Sequence, residues 1–171
     1  MLSSREGDFM LLNNEFLLMN KDTPVLQFAY VQEGISKVFK ESEWFRPDLK
    51  PFGYSELNGW LGSRQASKHR DSIAKLLKEM GCLNLEGFLR TTRGLTLNDT
   101  FWVKETDSAL KWRDVSLYTN PFNEVISRIA FEGGLYGRHF RSTSPEFGVS
   151  GNYKKSWIRE NDEIYLLKGG S

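Results

Sequence analysis

Apolar residues open the chain in short runs separated by polar breaks. FMLL (residues 9–12) and EFLLM (residues 15–19) flank Asn13-Asn14, and asparagine tolerates the positive φ that a two-residue hairpin turn demands. PVLQFAYV (residues 24–31) forms a third run. The first thirty residues therefore predict a β-meander. Gly34, Pro47, Pro51 and Gly53 then mark a loop-rich passage through WFRPDLKPFGY.

The period changes after residue 54. Ser55 can cap a short helix carrying Leu57, Trp60 and Leu61. Ser67 can cap a longer one, KHRDSIAKLLKEMG, with Ile73, Leu76, Leu77 and Met80 at i, i+3, i+4 and i+7 and Gly81 just past its end. GFLRTTRGLTLNDTFWV reads as helix, turn and strand. A last helix has Asn120 at its cap and Pro121 at its first position, with Phe122, Ile126 and Ile129 inward and Gly133-Gly134 closing it. The tail predicts a hairpin: KSWIRE, a turn at Asn161-Asp162, then EIYLLK. The Gly- and Ser-rich stretch over residues 133–144 is a natural subdomain boundary.

Composition narrows the class. At 171 residues the chain fits one domain or two tightly packed subdomains. With 39% hydrophobic and 26% charged residues it lies with globular proteins rather than disordered ones. Five Trp and twelve Phe leave room for an aromatic binding surface beyond the core. A formal net charge of +1 supplies no field toward nucleic acid or anionic membrane. One cysteine, Cys82, excludes a disulfide framework within the chain and a cysteine-rich zinc site. No run approaches the roughly 20 apolar residues of a membrane helix, and the N-terminus is too broken by polar residues for a signal sequence. The expected location is cytoplasmic.

Two constellations carry candidate chemistry. Gly148 and Gly151, with Ser150 between, can let backbone N–H groups approach a phosphate, because glycine has no Cβ in the way. Lys168 stands 17 residues after Gly151 on the second strand of the hairpin, the order of a kinase N-lobe. The plain alternative is a turn before a hairpin and a solvated lysine. The second constellation is basic: Arg64, Lys68, Arg70, Lys75 and Lys78 face only Asp71 and Glu79, a local net of +3. Lys68, His69 and Arg70 fall in a first helical turn, where the macrodipole disfavours positive charge, so an anion or acidic partner would relieve them. Residues 55–80 also fit a helix-turn-helix that could read DNA. The competing reading is an amphipathic helical hairpin with a solvated basic face, in keeping with the near-neutral chain.

Other chemistry is poorly supplied. His69 and His139 stand alone, without metal-ligand spacing, and no nucleophile-elbow motif occurs. Cys82 follows a helix C-terminus, which raises a thiol pKa and suits a small core residue better than a nucleophile. Asn98-Asp99 beside Trp102 reads as a turn with an Asx hydrogen bond and a packed indole.

Four stretches taken in order resemble a known family. LNGWLGSRQASKHRDSIAKLL, GLTLNDTFWVKE (residues 94–105), WRDVSLYTNPFNEVISRIA (residues 112–130) and SPEFGVSGNYKKSWIRENDEIYLLKGGS (residues 144–171) look like the N-terminal half of HipA-like serine/threonine kinases. The likeness is to the shorter forms of Gram-positive bacteria and their mobile elements, and it runs from about Met19 to the end. It implies an α+β fold: an N-terminal β-meander with helices packed on it, then the opening β-hairpin of a kinase-like N-lobe. Residues 1–135 would form the α/β subdomain and residues 136–171 the start of the N-lobe. It further implies that Lys168 contacts ATP phosphates beside a phosphate loop at residues 148–151. The subdomain would meet partner proteins, which in toxin–antitoxin versions include a small DNA-binding antitoxin.

Catalysis in that family also needs an aspartate base and Asp or Asn ligands for Mg²⁺ downstream of the lysine, and none follows Lys168 here. A phosphoryl-transfer site without them lacks most of its rate enhancement. The expectation is a non-catalytic module acting by protein–protein binding to a kinase lobe, an antitoxin or a regulator. No cofactor is required, and ATP would be held weakly. Two alternatives stay open: a stand-alone phage or mobile-element inhibitor of a host defence enzyme such as an RNA-guided nuclease, and a DNA binder through residues 55–80. No membrane partner is expected.

Overall fold

Strand β1 (Glu15–Asn20) carries four apolar side chains in a row, at positions 16–19, a pattern that suits a strand covered on both faces. The structure, a computed structural model, describes residues 12–65, 71–122, 126, 145 and 155–168. In it β1 lies inside an antiparallel sheet with β2 (Thr23–Glu33), β3 (Ser36–Trp44) and β4 (Phe101–Glu105), in the order β3-β2-β1-β4. Phe16 and Leu18 face one side with Leu26, Phe28, Phe39 and Val103. Leu17 and Met19 face the other with Trp102, Leu95, Val115 and Leu117.

The helices α1 (Leu57–Gly62), α2 (Asp71–Glu79) and α3 (Leu85–Thr92) supply the larger core, through Leu57, Leu61, Ile73, Leu76, Phe88 and Leu89. A single turn, α4 (Trp112–Val115), helps close the smaller one. A separate two-stranded ribbon pairs β5 (Lys155–Glu160) with β6 (Glu163–Lys168). The class is α+β.

Local expectations meet the structure unevenly. The tail hairpin forms with Asn161 at φ 50° and Asp162 at φ 66°, the geometry of a type I′ turn. Helix α2 ends in a Schellman motif. Gly81 at φ 82° donates its N–H to Lys78, and the Cys82 N–H reaches the Leu77 carbonyl at 2.9 Å. The helix, turn and strand expected over residues 87–103 are α3, a left-handed Arg93-Gly94 corner and β4.

Three expectations need correction. The first hairpin turns at Lys21-Asp22 and not at Asn13-Asn14. The Asn13 side chain is spent on the Glu15 N–H and on Thr106, while the Asn14 carbonyl accepts from Tyr30, which holds this segment alongside β2. Residue 12 is not in a strand, and residues 9–11 of the expected strand lie outside the described residues. The cap of α1 is Glu56 rather than Ser55. Its carboxylate accepts from the N–H groups of Asn58 and Gly59 at the positive end of the helix. A Cβ at Gly59 would fall 2.2 Å from Glu56 Oε1, so a side chain there would displace the capping carboxylate. Finally, β3 forms between Gly34 and the loop-rich passage, where no strand is expected from the sequence.

Of the helix expected from Asn120, only residues 120–122 and 126 are described. Ile126 is helical and buried, while the Asn120 amide donates back to the carbonyls of Arg113 and Ser116. The expected boundary over residues 133–144, the Ser67 cap and residues 68–70 lie outside the described residues.

One side chain guards the exposed edge of the sheet. Asn58 of α1 accepts from the Phe39 N–H at 2.9 Å and donates to the Phe39 carbonyl at 2.8 Å, copying the two bonds of a neighbouring strand. Asn58→Leu should therefore cost about 1–3 kcal/mol, the penalty for orphaning a partly buried amide pair. The check is urea unfolding, with a lower midpoint at unchanged slope, together with faster hydrogen exchange at Phe39. An unchanged midpoint would show that solvent replaces Asn58 without cost.

Candidate interaction surface

The alternation of β6 places Tyr165 and Leu167 on one face, 44% and 43% exposed, while Ile164 and Leu166 on the other are half-buried. Lys168 ends the strand, exposed, in register with Lys155 of β5. The ribbon pairs with no other described strand. Arg159 moors it to the sheet unit: its Nη2 donates to the carbonyls of Leu117 at 2.9 Å and Tyr118 at 2.5 Å. Its guanidinium also stacks 4.9 Å from the Phe122 ring. Gly148, Ser150 and Gly151 lie outside the described residues, so Lys168 is the one member of the expected phosphate site with a described position.

The basic group is divided. Arg64 is buried in the fold. Its Nη1 and Nη2 grip the Asp99 carboxylate at 2.5 and 2.9 Å, and Nε reaches the Gly94 carbonyl at 2.9 Å. Nη2 also donates to Phe101 at 3.0 Å, and the guanidinium stacks 4.8 Å from Trp60. Its donors are committed to tying the end of α1 to the loop before β4. Lys75 is exposed on α2, and Lys68 and Arg70 lie outside the described residues. Asp99 also accepts from the Phe101 N–H at 3.0 Å, and Trp102 is buried with its indole N–H on the Lys21 carbonyl. The Asx turn and packed indole expected at Asn98-Asp99 are both present.

Sequence reasoning missed an aromatic corner where β3 meets the following loop. Trp44 and Tyr54 stand edge to face, with centroids 5.3 Å apart and planes at 86°. Glu41 bridges them, accepting from the Trp44 indole N–H at 2.9 Å and from the Tyr54 hydroxyl. Lys50 Nζ lies 4.8 Å from the Trp44 ring and 5.4 Å from the Tyr54 ring. Burial, and then the bond to Glu41, push the Tyr54 phenol well above its ordinary pKa. Phe45 and the fully exposed Phe52 lie beside these residues in the chain. The available signal is WFRPDLKPFGY itself, where aromatics bracket one lysine among the Pro and Gly breaks.

Among the described residues no group of three or more His, Cys, Asp or Glu is placed to hold a metal ion. Burial pushes the Cys82 thiol up, away from the thiolate a nucleophile needs. Among the described residues no helix is long and apolar enough to cross a membrane. No protein-family model, curated protein or solved structure matches this chain.

Proposed function

We propose that this chain is a non-catalytic module of the HipA-like kinase type that works by binding a protein, with a separate kinase lobe as the first partner to test. The observation that carries the reading is the ribbon β5–β6, which presents Tyr165 and Leu167 beside Lys168 and pairs with no other described strand. A two-stranded ribbon is marginal by itself and gains stability from a further layer. A partner that packs on the Tyr165 face would supply that layer and bring the metal-binding carboxylates this lysine would serve.

The test is co-expression of the full chain with a HipA-type C-lobe polypeptide, followed by size exclusion. Co-elution is expected. Substituting both Tyr165→Asp and Leu167→Asp should weaken the complex about 30-fold, the scale of a two-residue apolar anchor at roughly 2 kcal/mol. Phe52→Asp, on the other unit, should leave it intact. Separate elution of the two chains at micromolar concentration, with the ribbon folded, would refute the proposal.

A further inference from the structure

We propose that Trp44, Tyr54 and Glu41 form a binding corner for an organic ammonium group, best an N-methylated one, and that Lys50 is its resident, displaceable occupant. The inference is independent of the ribbon, since the corner is built from β3 and the loop that follows it.

The geometry is that of two ring walls with a carboxylate at their polar edges. Rings in edge-to-face contact at 86°, with centroids 5.3 Å apart, make a right-angled corner, and a cation beside it is near both rings at once. Lys50 shows that an ammonium fits, lying within 6 Å of both centroids, the range in which a ring quadrupole attracts a cation. Glu41 adds the complementary charge. By accepting from both the indole N–H and the phenol O–H, it also fixes the orientation of the two walls. The corner is firm, because Tyr54 packs toward Trp60 and Trp60 toward Phe101, at 6.1 and 5.9 Å. Such preorganisation lowers the ordering cost of binding.

Lys50 is weakly held. Among the described residues it makes no ion pair or hydrogen bond; the two ring contacts are what place it. An exposed lysine ammonium in such a contact gives up water hydrogen bonds for little return. An N-methylated ammonium has fewer N–H groups to desolvate and apolar methyls to lay against the rings. Phe45 and Phe52, both exposed, are close to Trp44 and Tyr54 in the chain. Chemistry of this kind comes from a methylated lysine side chain or from a free choline-type molecule.

The experiment titrates the full chain with tetramethylammonium chloride at constant ionic strength, reading the indole N–H resonance of Trp44. A saturable shift is expected, at least about 5-fold tighter in Lys50→Ala, where the resident cation is gone. The shift should vanish in Trp44→Leu. The neutral isostere 3,3-dimethylbutanol, tested on wild type and Lys50→Ala, should bind at least about 10-fold more weakly than choline. That comparison stands even if Trp44→Leu fails to fold. Tighter binding of a trimethyl-lysine peptide than of choline assigns the ligand to a protein, and the reverse to a small molecule. No saturable shift in Lys50→Ala, or equal binding of the neutral isostere, overturns the proposal.

Discussion

Asp99→Ala will lower the melting temperature by roughly 6–12 °C, the equivalent of about 3 kcal/mol in a domain of this size. Arg64 has a side chain only 6% exposed and donates two of its bonds to the Asp99 carboxylate. Removing the carboxylate leaves a buried guanidinium with two carbonyls and the Trp60 face as partners. Breaking a buried pair from one side costs about 3–5 kcal/mol, because the surviving charge is uncompensated. Asp99 is 31% exposed, so water offsets part of the loss and the lower figure applies. Asp99→Asn should fall in between. It keeps an acceptor for the Phe101 N–H but loses the charge and half of the fork. Arg64→Lys should fail to rescue, since an ammonium cannot reproduce three divergent contacts. Thermal melts by circular dichroism decide the matter; a shift under about 2 °C for Asp99→Ala would show the pair to be incidental.

Phe28→Ala should be more damaging still, at about 3–5 kcal/mol. Phe28 is fully buried and stacks on Phe16 at 5.4 Å, with Phe39 edge-on to both at 5.6 and 5.9 Å. These three rings join β1, β2 and β3 on the face that receives the helices. Truncation removes the packing of one ring and leaves a cavity that the two neighbouring rings, on separate strands, cannot close together. Phe28→Leu should cost about 1–2 kcal/mol, since it keeps most of the volume and loses the ring stack. Urea unfolding separates the outcomes. Equal costs for Leu and Ala would mean that the stack, rather than the filled volume, carries the stability.

What was legible in the chain was local. The I′ turn at Asn161-Asp162 is visible because the residues that tolerate positive φ sit where two runs must reverse. The Gly81 ending of α2 is visible for the same reason, and the helical spacing of Ile73, Leu76, Leu77 and Met80 is intrinsic to a 3.6 period. The misplaced first turn shows the limit of such signals. Asn13-Asn14 is a good turn by propensity, but the Asn13 side chain bonds to Thr106, 93 residues away, and the Asn14 carbonyl to β2. Tertiary partners outbid the local preference.

The aromatic corner was illegible for a related reason. Its four members come from a strand, a loop and a turn within residues 41–54, with no period that marks them. The loop has to fold back before Tyr54 stands at a right angle to Trp44 and Lys50 lies over both. Arg64 makes the opposite point. Its sequence neighbours suggest a basic face, yet it is buried against Asp99, 35 positions later.

The sequence by itself determined that strands and helices mix along the chain, the existence of most helices and the tail hairpin, because hydrophobic period and φ-permissive residues act within a few positions. Only the tertiary structure decided that β1 is a central strand, that Arg64 is internal and that Trp44, Tyr54 and Lys50 meet. Each of these depends on contacts between segments whose separation along the chain leaves no periodic trace, and on burial, which is a property of the assembled sheet and helices rather than of any one run.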